Sequence, residues 1–374
     1  MTIGIMLLVI KSKFEKDYLI ETSIEKNLYF FKSVIIKSPN FAIQYFKSSI
    51  SNKTFDQKHT LKLNHQNHGD LLTKLILMIK LPDLPNNYSY INKLGHHLIN
   101  EYEIEINGKI IDKRNGEWLE IKSQIENNLN YKKMIGDDEN YFYDNSNKII
   151  YIPLDFWFTQ DYNSALPLIS LNKSDININL RFNNIKDIIL STNEEYPNIN
   201  LTTFLIMEEI FLDLNEREYF IKNEHKYLLN QLQYFSKSIN QKNILIPIDF
   251  HSPIKQIFWT FPNYQKIKNN FNKIIYHQKF NYLDPNPITT LIINNKEILP
   301  ELPSSFFNLV IPYLKNQHSN NINTYSFQIN NFGSIDLSKI EKNFLKLSNL
   351  SNVNQINLFA INYHLITIKD GLFN

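Results

Sequence analysis

Glycine constrains this chain more than any other residue. Only eight occur in 374 residues: Gly4, Gly69, Gly95, Gly108, Gly116, Gly136, Gly333 and Gly371, and no two lie close together. A dinucleotide-binding fingerprint, a P-loop and a nucleophile elbow all need glycines two to five residues apart, where the backbone must turn sharply or approach a ligand without a Cβ. None of these motifs is present. The scarcity also raises a question of construction, because a chain rich in short strands needs many tight turns. Asparagine supplies roughly one residue in seven. It tolerates left-handed backbone better than most residues, so positive-φ positions are expected to be mainly Asn. An AT-rich genome accounts for much of the remaining bias toward Asn, Ile, Lys, Tyr and Phe, and for the presence of only three arginines, Arg114, Arg181 and Arg217.

The length suits two domains of roughly 190 residues, and 43% hydrophobic with 20% charged residues can fill two cores. A net charge of +2 gives no reason to expect a specific nucleic-acid partner. The absence of cysteine excludes disulfides, thiolate zinc sites, iron–sulfur clusters and cysteine nucleophiles. Ile3 to Ile10 is apolar but too short to span a bilayer, which takes about twenty residues. It reads as a docking or buried N-terminal segment.

Strand signals dominate. Candidates are Asn40 to Ile50, Thr60 to Asn64, Leu71 to Leu81, Lys148 to Phe158, Ala165 to Phe182 and Thr202 to Leu214. Ile176, Ile178, Leu180 and Phe182 alternate strictly, as a half-buried strand requires. Glu101 to Asp112 is a hairpin: Tyr102, Ile104 and Ile106 alternate with Glu101, Glu103 and Glu105, and Asn107–Gly108 makes a type I′ turn. Its carboxylates are expected on the wet face. Gly116 to Leu129 places Trp118, Ile121, Ile125 and Leu129 at helical spacing, and Met134 to Asn147 is a polar loop. Asn215 to Tyr227 is charged and helix-forming, and it reads as a connection. Beyond it come Tyr227 to Phe235, Asn243 to Phe250, Ile254 to Phe261, Ile288 to Ile293, Thr324 to Ile329, Asn343 to Leu347 and Gln355 to Ile368. Two sets of short strands argue two β-sandwiches or barrels. YIPLDF (Tyr151 to Phe156) and LIPIDF (Leu245 to Phe250) look alike but fall late in one half and early in the other, so the likeness is read as coincidence.

The order of motifs resembles the major capsid proteins of nucleocytoplasmic large DNA viruses, the double jelly-roll family. The resemblance rests on NLYFFKSVIIKSPNFAIQ (Asn27 to Gln44), HGDLLTKLILMIKLP (His68 to Pro82), GHHLINEYEIEINGKIIDKRNGEWLEI (Gly95 to Ile121), and IPLDFWF with ALPLISL (Ile152 to Leu171). In the second half it rests on HKYLLNQLQYF (His225 to Phe235), SPIKQIFWTF (Ser252 to Phe261), SSFFNLVIPY (Ser304 to Tyr313), NTYSFQI (Asn323 to Ile329) and FAINYHLITIKDGL (Phe359 to Leu372). One departure is the short loop Asn330 to Ile340, where the family usually has a longer one.

The resemblance implies an all-β fold of two consecutive eight-stranded jelly rolls with short helices in the loops. The expected layout is an N-terminal arm at 1–26, a first jelly roll at 27–215, a connecting segment at 216–226 and a second jelly roll at 227–374. It implies a non-enzymatic virion protein, assembled in the host cytoplasm, whose homotrimers form pseudo-hexagonal capsomers of an icosahedral shell. The implied partners are other copies of itself, neighbouring capsomers, minor capsid proteins and, for the arm, the inner membrane. An assembly scaffold or minor capsid paralogue of the same fold, and a carbohydrate-active β-sandwich, stand as alternatives.

No catalytic, cofactor-binding or metal residue is assigned. His59, His65, His68, His96 and His97 lack a recognised ligand spacing. Asp137, Asp138 and Glu139 form a consecutive acidic run in a loop, not the alternating oxygen ligands around a tight glycine turn that calcium needs, and read as a solvated loop. Trp118, Trp157 and Trp259 read as core residues, and the surplus of 21 Tyr and 26 Phe is expected to serve subunit contacts in part.

Overall fold

The computed structural model describes residues 40–50, 55–63, 68–85, 88–137, 148–191, 195–263, 280, 282–319, 321–329 and 332–373, and the backbone of 267–268 and 274–275. The arm at 1–26, most of the motif Asn27 to Gln44, and His65, Asp138 and Glu139 lie outside the described residues.

Among the described residues, eight principal strands make up the first half, beside the short strands Tyr88–Tyr90, Leu166–Pro167 and Ile189–Ser191. The principal strands are β1 (Phe41–Ile50), β2 (Lys58–Leu63), β3 (Leu71–Lys80), β4 (Ile99–Ile106), β5 (Lys109–Asn115), β6 (Ile149–Pro153), β7 (Ile176–Phe182) and β8 (Thr202–Leu212). Eight more make up the second half: β9 (His225–Ser238), β10 (Ile244–Pro247), β11 (Pro253–Thr260), β12 (Ile288–Ile293), β13 (Lys296–Glu297), β14 (Asn323–Ser326), β15 (Phe344–Ser348) and β16 (Gln355–Lys369). The sheets of the first half run β1-β8-β3-β6 and β2-β7-β4-β5, and those of the second run β9-β16-β11-β14 and β10-β15-β12-β13. Adding eight to every label of the first half generates the second. Each half is therefore a two-sheet jelly roll of the same topology, and all pairings between these strands are antiparallel.

Side-chain alternation builds each barrel. On β7, Ile176, Ile178, Leu180 and Phe182 are all buried, and they join Leu75, Leu77 and Ile79 of β3 in the first core. Ile257 and Trp259 of β11 and Ile356, Leu358 and Ala360 of β16 fill the second core. The far ends of β9 and β16 project beyond their own barrel and place Leu229, Ile366 and Ile368 in the first core. The two barrels therefore share apolar packing.

Several expectations need correction. The hairpin glutamates are not all on a wet face: Glu103 is 5% exposed, because Lys58 pairs with it at 2.8 Å and Asn179 Nδ2 donates to it at 3.0 Å. The helix predicted to Leu129 is α1 (Gly116–Glu126). Asn127 adopts φ 46° at its end, and Leu129 opens a separate exposed turn, Leu129–Met134. The strand expected over Lys148 to Phe158 stops at Pro153, and Trp157–Gln160 is helical. Leu168–Leu171 is a helical turn within the stretch Ala165 to Phe182. The charged stretch from Asn215 is α2 (Leu214–Lys222), and β9 begins at His225, two residues before the expected Tyr227. YIPLDF lies on β6, the sixth strand of its barrel, whereas LIPIDF lies on β10, the second of its own, so the two are not structural equivalents.

The turn expectation holds. Among the described residues, nine of the fifteen non-glycine positions with positive φ are Asn, against four glycines with positive φ. Asn294 and Asn295 (φ 53° and 57°) form the two-residue turn between β12 and β13, as the mirror-image hairpin geometry requires.

Candidate assembly surfaces

The most elaborate polar arrangement lies where the two barrels meet. α1 leaves β5 at Gly116, where an added Cβ would stand 2.1 Å from the His96 carbonyl oxygen and 2.5 Å from that of Ile99. Only glycine permits this approach. Asn115 caps the helix, its side chain accepting the Trp118 N–H at 2.8 Å. One face of α1 then carries Trp118, Ile121 and Ile125 onto Leu232, Phe258 and Phe359 on the outer face of the β9-β16-β11 sheet. The Trp118 ring meets Phe258 edge-on with centroids 5.6 Å apart. Glu117 accepts from Thr260 at 2.9 Å and from Asn357 at 2.7 Å. Trp157 and Trp259 are core residues as expected, but Trp118 is buried between barrels rather than inside one.

Beside this apolar contact sits a closed charge cluster. Arg114 is 2% exposed. Its Nε donates to Asp112 at 2.9 Å, its Nη1 to Asp155, and its Nη2 to the Asn230 carbonyl oxygen of β9 at 3.0 Å. Lys122 also bonds Asp155, and Trp118 Nε1 donates to it at 3.2 Å. Across the junction, Leu232 N–H donates to Asp112 at 3.3 Å and Gln231 Nε2 to the Ile111 carbonyl at 2.5 Å. Arg114, Asp112 and Asp155 are thus buried together, with the partly exposed Lys122 at their edge, and each buried charge is paired, as burial of charge demands. The carboxylates respond differently. Burial would raise Asp155, but Arg114 and Lys122 outweigh it and hold the group at about 2. Burial pushes Asp112 up from its ordinary value against the pull of Arg114.

Sequence reasoning assigned Arg114 to genome composition. The available signal was its rarity in a lysine-rich chain, because only a planar guanidinium can serve three acceptors in a fixed fork.

The histidines are dispersed. His59 lies 5.5 Å from the Phe182 ring, His68 Nδ1 is 2.6 Å from Glu209, His96 is 2.7 Å from Glu120 and 3.0 Å from Tyr131, and His97 lies against Phe280 at 4.1 Å. Among the described residues no group of three or more His, Asp or Glu side chains is placed to hold a metal ion. None of their helices is long and apolar enough to cross a membrane.

Large apolar side chains do reach the surface. A wide π-type turn at Phe306–Val310 runs directly into a helical turn at Ile311–Leu314; together they form α3. α3 exposes Leu309, Val310, Tyr313 and Leu314, with Tyr313 at 79%. On the first barrel, Ile43 and Tyr45 of β1 are exposed on the outer sheet face. Tyr45 donates to the buried Glu208 carboxylate, and Tyr162 donates to the same group at 3.2 Å.

Two consecutive jelly rolls of one topology are the architecture of double jelly-roll capsid proteins. Comparison with known proteins agrees. The family model described as "Major capsid protein N-terminus" matches residues 29–213, and that described as "Large eukaryotic DNA virus major capsid protein" matches 216–373. The major capsid protein of Pyramimonas orientalis virus is 25% identical, the match covering 92% of each chain. Capsid protein 1 of Acanthamoeba polyphaga mimivirus is 28% identical over 63% of this chain and 46% of its own length. In fold, the chain resembles the capsid subunit of the PBCV-1 virus, with a TM-score of 0.78 and 22% identity over 92% of this chain and 98% of that one. The chain belongs to the major capsid protein family of large eukaryotic DNA viruses, and it is a structural double jelly-roll protein of the virion capsid.

Proposed function

We propose that three copies of this chain close about a threefold axis into a pseudo-hexagonal capsomer, and that this capsomer is the principal tile of an icosahedral shell. The observation that carries the reading is the repeated strand order of the two halves. A chain with two barrels of equal topology side by side makes a trimer of six similar barrels, and such an outline can tile a flat facet. Closed point symmetry makes the trimer, and heterologous lateral contacts extend the lattice. The role needs no catalysis and no cofactor.

The layout proposed for this role is an arm at 1–26 and two barrels connected by α2 (Leu214–Lys222), the second barrel opening with β9 at His225. The arm docks on a neighbouring capsomer or the inner membrane, and minor capsid proteins bind between capsomers. Assembly in the host cytoplasm is supported by the absence of cysteine.

Negative-stain microscopy of the purified chain tests the reading. Threefold particles of about 130 kDa, three times the 44.4 kDa chain, are expected, and monomers with glycan affinity would favour a carbohydrate-binding sandwich instead. Quantifying the chain in purified virions separates shell from scaffold, because a scaffold is depleted from mature particles.

A further inference from the structure

The matched topology says more than that a trimer is possible, because one barrel-to-barrel junction is already present within the chain. In that junction α1, in the connection from the fifth to the sixth strand of the first barrel, seats Trp118, Ile121 and Ile125 on the outer face of β9-β16-β11. The central row of that face is Tyr234, Phe359 and Phe258, aligned by strand register. α3 occupies the same connection in the second barrel, from β13 to β14. Its stripe Leu309, Val310, Tyr313 and Leu314 is exposed. The face equivalent to β9-β16-β11 on the first barrel is the outer face of β1-β8-β3. The same register there aligns Ser49, Phe204 and Met78, with Lys47, Ile206 and Ile76 in the adjacent row. The Lys47 ammonium lies 3.8 Å from the Phe204 ring centroid, and Ile43 and Tyr45 extend the face at its exposed edge.

A head-to-tail ring of three such chains has six junctions, alternately within and between chains. The junction within the chain joins a helix of barrel one to a sheet of barrel two. The junction between chains must therefore join barrel two of one copy to barrel one of the next. We infer that the α3 stripe of one copy docks on the outer β1-β8-β3 face of a second copy, repeating between chains the contact that α1 makes within the chain. This rests on the trimer reading above, and it adds which surfaces meet.

The cysteine-free sequence makes the test direct. The full-length chain carrying Tyr313→Cys and Lys47→Cys, oxidised at low protein concentration, is expected to run as a covalent trimer without reductant and as a monomer with it. Two charge variants complement it, Leu309→Asp with Tyr313→Asp on α3, and Ile43→Asp with Ile206→Asp on the sheet face. Each is expected to raise the concentration for half-dissociation in sedimentation at least about tenfold, as loss of a central apolar contact does, with its circular dichroism unchanged. If a charge variant fails to fold, the disulfide pair decides. An unmodified chain that is trimeric, while the cysteine pair gives no interchain bond and the folded charge variants remain trimeric, overturns the docking and leaves the trimer standing. That outcome is also expected if another segment of the same chain covers α3. An unmodified chain that is monomeric at all concentrations overturns the trimer and this contact with it.

Discussion

Arg114 is bonded to Asp155 where both side chains are almost fully buried, and the same guanidinium reaches the Asn230 carbonyl oxygen of the other barrel at 3.0 Å. The ion pair thus sits on the boundary between the two jelly rolls, and it ties the geometry of one to the other.

Removing the cation should therefore be severe. Arg114→Met leaves Asp112 and Asp155 with one lysine between them in a buried site, and a loss of about 3–5 kcal/mol is expected. Arg114→Lys keeps the charge but cannot serve Asp112, Asp155 and Asn230 together, so it should cost less than Met yet remain clearly destabilising. Urea unfolding followed by tryptophan fluorescence measures both. Near-equal stability of wild type and Arg114→Met would show that the cluster does not fasten the barrels.

How much of this was legible beforehand depends on the period of the pattern. Ile176 to Phe182 alternates and is a strand, and Asn107–Gly108 is the turn its residue types demand. These features are local. What was hidden depends on contacts far apart in sequence. Glu103 reads as wet because its strand alternates, but Lys58 and Asn179 come from other strands to bury it. Trp118 reads as core because it stands on an apolar helix face, and nothing nearby in sequence says that Phe258 and Phe359 cover it. Arg114 reads only as one of three arginines left by genome composition, because two of its acceptors lie far along the chain, at positions 155 and 230.

Acid should loosen the molecule in a defined window. Asp155 is held at about 2 against an ordinary 3.8, and Glu120, where His96 and Lys93 outweigh burial, at about 2 against 4.5. Carboxylates depressed by folding contribute stability above their unfolded values and lose it as pH falls through the folded ones. Loss is therefore expected between about pH 4.5 and 2, on the order of 2 kcal/mol for Asp155 alone. Asp112 works in the opposite sense. Burial raises it, so its protonation in acid offsets part of that loss. Melting temperatures measured from pH 7 to 2 should stay level and then drop below about 4.5. In Asp155→Asn the drop should be shallower from a lower starting point, and an unchanged slope would remove Asp155 from the account.

Two glycines should behave in opposite ways under the same substitution. Gly116→Ala puts a methyl group 2.1 Å from a backbone carbonyl oxygen, which the buried neighbours cannot yield, and at least about 3 kcal/mol of destabilisation is expected. Gly108→Ala meets nothing within 4 Å but keeps φ at +77°, so only the conformational term of about 1–2 kcal/mol remains. Thermal melts of the two variants side by side test this, and equal losses would mean that the close approach of α1 to His96 and Ile99 is not a steric constraint.

The asparagine turns make the last prediction. Asn294 and Asn295 connect β12 and β13 with φ at 53° and 57°, both left-handed, in a hairpin whose register pairs Ile293 with Lys296. Such a turn prefers glycine at its second position, and the chain places Asn there instead. If asparagine stands in for glycine because it bears this backbone region better than other side chains, the order of stability at position 295 is fixed. Asn295→Gly should be neutral or stabilising by up to about 1 kcal/mol, and Asn295→Ala should cost about 1 kcal/mol. Because the turn is exposed, packing should contribute little to either change. Equal stability of the Asn and Ala forms would mean that the turn does not depend on residue type, and would leave genome composition as the sole origin of the asparagine excess.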